Sequence, residues 1–184
     1  VTQKAQLLTY AQSDLVPTRP DGTWDTTKLL PIDALGLTVL RNDAGLPIEM
    51  GEIHRSWSWF VRYAWEQNRY AGVLAPWRHG KSLLGTTRLA LDGMGRNQNI
   101  RIRILAADDR QAMLWTRSVA KYVRESAEYR AIYPAVQPDR EANWNEHRFF
   151  IKRTSFAPDP TVQAAAAFSS EAGGGNDLIL IDDI

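Results

Sequence analysis

Residues 75–82 read Ala-Pro-Trp-Arg-His-Gly-Lys-Ser, and no other segment constrains the chain as much. Apart from Ala75 in place of a first glycine, the octet keeps the spacing G-x-x-x-x-G-K-[ST]. That spacing has a physical basis. A strand ends, the backbone curls until successive N–H groups point inward, and a helix opens at the lysine. Amides and the helix N-terminus then hold an anionic phosphate together. Gly80 permits close backbone approach, Lys81 reaches the terminal phosphates, and Ser82 offers a hydroxyl to Mg2+. The flanks agree with the pattern. An apolar run precedes the octet, so a strand is expected over residues 70–75. Leu83, Leu84, Thr87 and Leu91 carry a helical pattern over 81–92. Ala75, Pro76, Trp77, Arg78, His79, Gly80, Lys81 and Ser82 are all candidates to contact a nucleotide. A cation at Arg78 can stabilise charge on the γ-phosphate.

A second segment supplies carboxylates. Residues 178–183 read Leu-Ile-Leu-Ile-Asp-Asp, four apolar residues and then two acids, as in a buried strand with carboxylates at its C-terminal tip. Ligands of open α/β sheets sit beyond such tips. Asp182 is expected to hold Mg2+, directly or through water, and Asp183 to orient and polarise an attacking water.

Between these segments the pattern alternates strand and helix. Ile100, Ile102 and Ile104 alternate with Arg101 and Arg103 over residues 99–105, which reads as a half-buried strand at a sheet edge. Asp108 with Gln111 resembles a capping box, and Ala112, Trp115, Val119 and Tyr122 mark the inward side of the helix that follows. Further strands are expected at 149–153, 162–168 and 178–181. Upstream, Ile53, Trp57, Phe60 and Ala64 recur at spacings of four, three and four, predicting a helix over 52–69 with one apolar stripe. A short helix is expected in the first 15 residues, and Pro and Gly punctuate 17–51. The order points to an α/β parallel sheet with crossover helices.

Composition narrows the classes. The chain has 184 residues, 44% hydrophobic and 23% charged, near the globular average. No apolar run approaches the roughly 18 residues of a membrane-spanning helix, so no membrane association is expected. The absence of cysteine removes disulfides, thiolate metal sites and a cysteine nucleophile at once. His54, His79 and His147 lack metal-ligand spacing. With 22 basic and 21 acidic residues the net charge is +1, so nucleic-acid binding would have to come from a local patch. Arg101, Arg103, Arg117, Lys121 and Arg124 could line such a patch or form a solvated face. The seven tryptophans read mostly as core and helix contacts.

The two motifs together resemble the ATPase domain of the large subunit of phage terminases, the DNA-packaging motors. Pro-Trp-Arg-His-Gly-Lys-Ser is similar to that family's P-P-R-H-G-K-S and P-R-G-H-G-K-S forms. His54, opening a helix ahead of the loop, resembles the family's pre-loop helix. Arg110, Ala112, Trp115 and Arg117, the Tyr133-Pro134 ending, Trp144, residues 159–164 and the glycines before the acidic strand resemble further landmarks. The likeness covers about residues 50–184. It implies a P-loop NTPase fold of the RecA-like (ASCE) type, a parallel sheet flanked by helices and incomplete at its C-terminal end. Residues 1–50 would be lead-in elements and 51–184 the ATPase domain, broken off after the acidic strand. The missing remainder would carry the coupling motif and the nuclease domain.

The resemblance further implies ATP and Mg2+ as cofactors, with Lys81, Asp183 and Arg78 catalytic and Ser82 and Asp182 on the metal. Double-stranded DNA would be the cargo, with portal protein and the small terminase subunit as partners. The active form would be a homo-oligomeric ring at the procapsid portal in the host cytoplasm. Two other classes compete: another P-loop ATPase of helicase type or a kinase, and a nucleotide-binding assembly switch with little hydrolysis.

Overall fold

The computed structural model describes residues 20–21, 30–76, 78–169 and 175–183. The helix expected in the first 15 residues lies outside them. The chain divides into two compact units, Val1–Leu84 and Gly85–Ile184.

In the first unit, α1 (Pro31–Val39) begins with proline at its first helical position, where the missing N–H costs nothing. Asp33 caps it: the Leu30 N–H donates to Asp33 Oδ2 at 3.1 Å. Asp33 is fully buried, and Ser58 Oγ of α2 (Glu52–Glu66) donates to its other oxygen. A buried carboxylate requires such donors, and this one turns the Ser58 side of α2 inward. Ser58, Trp59 and Ala64 are therefore the buried residues of α2, while Ile53 (56% exposed) and Phe60 (48% exposed) face outward. The expected apolar stripe keeps only Ala64 in the core. The helix ends at Glu66 rather than at 69: Asn68 takes φ 51°, its N–H bonds to the Trp65 carbonyl at 3.0 Å, and the Arg69 N–H to the Ala64 carbonyl at 2.8 Å. This is a left-handed cap that satisfies the last carbonyls.

The strand expected over 70–75 does not form. Residues 71–76 have no regular structure, and Tyr70 and Leu74 are fully exposed. An apolar run predicts burial, but a strand also needs a ladder partner. Every strand of the described sheet belongs to the second unit.

A π-helical segment, Ser82–Thr87, carries the chain across the unit boundary into α3 (Arg88–Arg96). The second unit is then β1 (Ile102–Ala106), α4 (Asp109–Glu125), α5 (Ala127–Ile132), β2 (Arg148–Phe149), β3 (Val162–Ala166) and β4 (Leu178–Asp182). The strands form one sheet in the order β2-β3-β1-β4. β1 pairs in parallel with β3 and β4, and β2 pairs antiparallel with β3. The fold is thus mixed α/β with a mostly parallel four-stranded sheet and packed helices. Asp108 caps α4 by accepting from the Gln111 N–H at 2.8 Å, as its spacing predicted. Ala112 of α4 meets Ala106 of β1 and Ala164 of β3, three small side chains that let helix and sheet approach closely.

β1 is central rather than at an edge. The alternation that suggested an edge strand comes from arginines engaged within the fold. Arg103 is buried and bonds Gln163 Oε1 across the sheet at 3.5 Å. Arg101, just before the strand, holds Asp177 through Nη2 at 2.9 Å and Nε at 3.1 Å, while its backbone N–H also meets that carboxylate at 2.9 Å. Asp159 lies 3.6 Å from the same guanidinium. This clamp fixes the start of β4 beside the start of β1. The Arg101 guanidinium, above all by hydrogen bonding, holds the Asp177 carboxyl below its ordinary range.

Behind α4, Tyr129 and Tyr133 bring hydroxyls to α3. Tyr129 donates to the Leu91 carbonyl at 2.8 Å and Tyr133 to Asp92 at 3.0 Å, with Arg96 on the other Asp92 oxygen at 2.9 Å. A Cβ at Gly95 would lie 2.5 Å from the Tyr133 ring, so only glycine fits there.

Candidate nucleotide site

The loop lies wholly in the first unit up to Leu84. Ala75 is half-buried and Pro76 exposed, while Trp77 lies outside the described residues. Arg78 (φ 63°) and Gly80 (φ 72°) both adopt the left-handed conformation around His79. Such φ values cost nothing at glycine but about 1–2 kcal/mol at an arginine. They curl the chain sharply before the helix, the kind of turn that gathers N–H groups into an anion-binding concavity. The helix opens at once: the Leu84 N–H donates to the Gly80 carbonyl at 2.8 Å. Lys81 and Ser82 sit half-buried in its first turn. The π-helical winding of Ser82–Thr87 is uncommon and occurs often at functional positions.

One contact to this loop comes from a distance. His54 of α2 accepts the Gly51 N–H at Nδ1, 3.0 Å away. That leaves the proton on Nε2, which donates to the His79 carbonyl at 3.1 Å. His54 thereby satisfies one carbonyl of the turn. Trp57 packs edge-on against the His54 ring at 5.1 Å. The sequence marked His54 by its place before the loop, but residue spacing carried no signal for a contact 25 positions away.

The carboxylates belong to the second unit. Asp182 is the last residue of β4, buried and paired in register with Ala106. Asp183 follows, exposed, at φ 47°. The chain runs from β1 to β3 on one side and returns to β4 on the other. The tip of β1 is therefore a topological switch point, where ligands of open α/β sheets bind. Asp108 and Asp109 follow β1 beyond the same edge, and Asp109 Oδ1 accepts the Ala166 N–H at 2.7 Å, tying α4 to the tip of β3. Capping spacing marks Asp108 alone and gives no sign of the Asp109 contact. The Asp-Asp pair after an apolar strand was the signal for both.

Among the described residues, no three His, Asp or Glu side chains are arranged to hold a metal. Mg2+ bound with a nucleotide needs less, because phosphates and waters fill most of its shell. A serine hydroxyl at a helix start and a buried carboxylate at a strand tip are hard oxygen donors of the right kind. Also among the described residues, no helix is long and apolar enough to cross a membrane. No family model matches the chain, and no curated protein or solved structure matches it significantly.

Proposed function

We propose that the chain is the ATPase part of a DNA-packaging motor of the terminase large-subunit kind, a P-loop NTP hydrolase driving double-stranded DNA into a procapsid. The observation that carries this most is the Gly80-Lys81-Ser82 turn. It combines left-handed residues at Arg78 and Gly80 with a helix opening at Lys81, and the chain elsewhere ends a parallel strand on the buried Asp182. Loop amides and Lys81 would hold the β- and γ-phosphates, and the Ser82 hydroxyl and Asp182 would be the magnesium donors. Bound magnesium would neutralise phosphate charge. Asp183 orients the attacking water for in-line displacement, and Arg78 stabilises charge gathering on the γ-phosphate.

In this proposal the motor works as a ring at the portal in the host cytoplasm, with portal protein and a small subunit as partners. DNA-stimulated ATP hydrolysis that Lys81→Ala abolishes supports a translocase. Lys81-dependent nucleotide binding without turnover points instead to an assembly switch, and hydrolysis that survives Lys81→Ala overturns the site.

A further inference from the structure

The structure sorts the arginines and lysines of the second unit into two groups. Arg101 and Arg103 are consumed within the fold, one by Asp177 and Asp159, the other beside Gln163. The cations of α4 stay at the surface. Arg110, Arg117, Lys121 and Arg124 are all exposed. With Leu114 among them they recur at spacings of four, three, four and three, one straight row on the helix. Ala112, Thr116, Val119, Ala120 and Val123 form the opposite, buried side. The row spans about 21 Å at 1.5 Å per residue.

The acids nearest in sequence, Asp108, Asp109, Glu125 and Glu128, lie outside the row itself. Asp108 caps the helix and Asp109 bonds the Ala166 amide. Among the described residues, Glu146 lies 2.9 Å from Arg117, with both side chains more than half exposed, a surface pair that is weakly held.

We propose that this face of α4 is a track for the phosphate backbone of a nucleic-acid duplex. That the duplex is DNA rests on the translocase proposal above. Several features select this occupant. Four cations in a straight row match a stiff polymer with regularly spaced negative charge. The row offers no free aromatic platform for unstacked bases, because Trp144 is engaged by Phe149 at 4.8 Å and lies under Arg124 at 5.1 Å. A single exposed apolar residue, Leu114, is too little to enter a membrane.

The test is salt-dependent binding of a labelled DNA duplex to the full chain without nucleotide, read by fluorescence anisotropy. Four phosphate contacts give a slope of log affinity against log salt of about −3.6, or roughly 150-fold weaker binding from about 50 to about 200 mM salt. Arg110→Gln with Lys121→Gln removes two contacts. It should lower the slope to about −1.8 and the loss to roughly 12-fold, with the melting temperature unchanged. Arg148→Gln with Lys152→Gln, exposed elsewhere in the same unit, should leave the slope as it was.

Absence of duplex binding by the wild type overturns the track. So does an unaltered slope in the Arg110/Lys121 variant, an equal loss in the control pair, or tighter binding of a single strand than of the duplex. The two proposals fail separately. Lys81-dependent hydrolysis with an unaltered slope removes the track alone. A slope that falls as stated in a chain without hydrolysis keeps the track and removes the ATPase.

Discussion

Residues 70–76 and β4 are built from the same kind of sequence: a short apolar run followed at once by residues proposed to bind phosphate or metal. Only one becomes a strand. β4 lies in register with β1 from Ile102 opposite Leu178 to Ala106 opposite Asp182, and the Arg101–Asp177 clamp secures its start. Residues 71–76 have no ladder among the described residues, and Leu74 stands fully exposed. Apolar character sets what a run would gain by burial; a partner decides whether it is buried. The chemistry after each run is shaped locally all the same. Gly80 and Asp183 both turn left-handed, one to start a helix and the other to leave a strand.

The sharpest way to break this comparison is kinetic. If the two turns serve one reaction, Asp183→Asn should lower ATP turnover by about 10²–10⁴-fold, the range for a positioned proton-transfer group, while nucleotide affinity stays near wild type. Lys81→Ala should lose affinity as well. Single-turnover hydrolysis with direct nucleotide titration separates the two effects. Full turnover in Asp183→Asn would show that Asp183 does not position the attacking water.

Stability comes next. Leu180 is 7% exposed, and Leu180→Ala should cost about 2–5 kcal/mol through lost burial and the cavity left behind. Leu74→Ala, from the same sort of run, should fall within about 0.5 kcal/mol of wild type because nothing packs on it. Urea denaturation of both variants decides this. A large loss at Leu74 would mean that the run is buried in solution after all.

The clamp should have a smaller effect that depends on pH. Arg101 holds the Asp177 carboxyl below its ordinary value of 3.8. Its contribution is therefore complete above that value and is lost as pH falls through the lowered one. Asp177→Asn should lower the urea midpoint modestly at neutral pH and flatten its fall below pH 3.8. Identical acid profiles for the variant and the wild type would show that the pair does not hold β4.

The pieces legible in the sequence were those whose signal is local. The β4 run, the Asp108 cap and the helix at 109–125 follow from period, capping chemistry and composition. So do the residue types of the loop. What escaped depended on partners far along the chain. The Ile-Arg alternation placed β1 at an edge because Gln163 and Asp177, which absorb the arginines, lie 60 and 76 positions away. The inward face of α2 was misjudged because the donor requirement of buried Asp33 outweighs the apolar stripe. The winding of Ser82–Thr87 into a π-helix has no pattern that periodicity can read.

The mildest prediction concerns a long-range contact of the loop. His54 joins α2 to the turn by two bonds of different kinds, accepting from Gly51 at Nδ1 and donating to His79 from Nε2. Asparagine at position 54 can keep an acceptor for the Gly51 N–H, because its Oδ1 stands where Nδ1 stood, but it is too short to reach His79. Glutamine is long enough to present a donor there. A single such bond contributes about 0.5–1.5 kcal/mol net. In His54→Asn, amide exchange at residues 78–82 should therefore quicken by roughly two- to ten-fold, while exchange in β4 stays unchanged. His54→Gln should restore slow exchange. Equal protection of the loop in all three proteins would mean that the turn at Arg78 and Gly80 does not depend on the His54 bond.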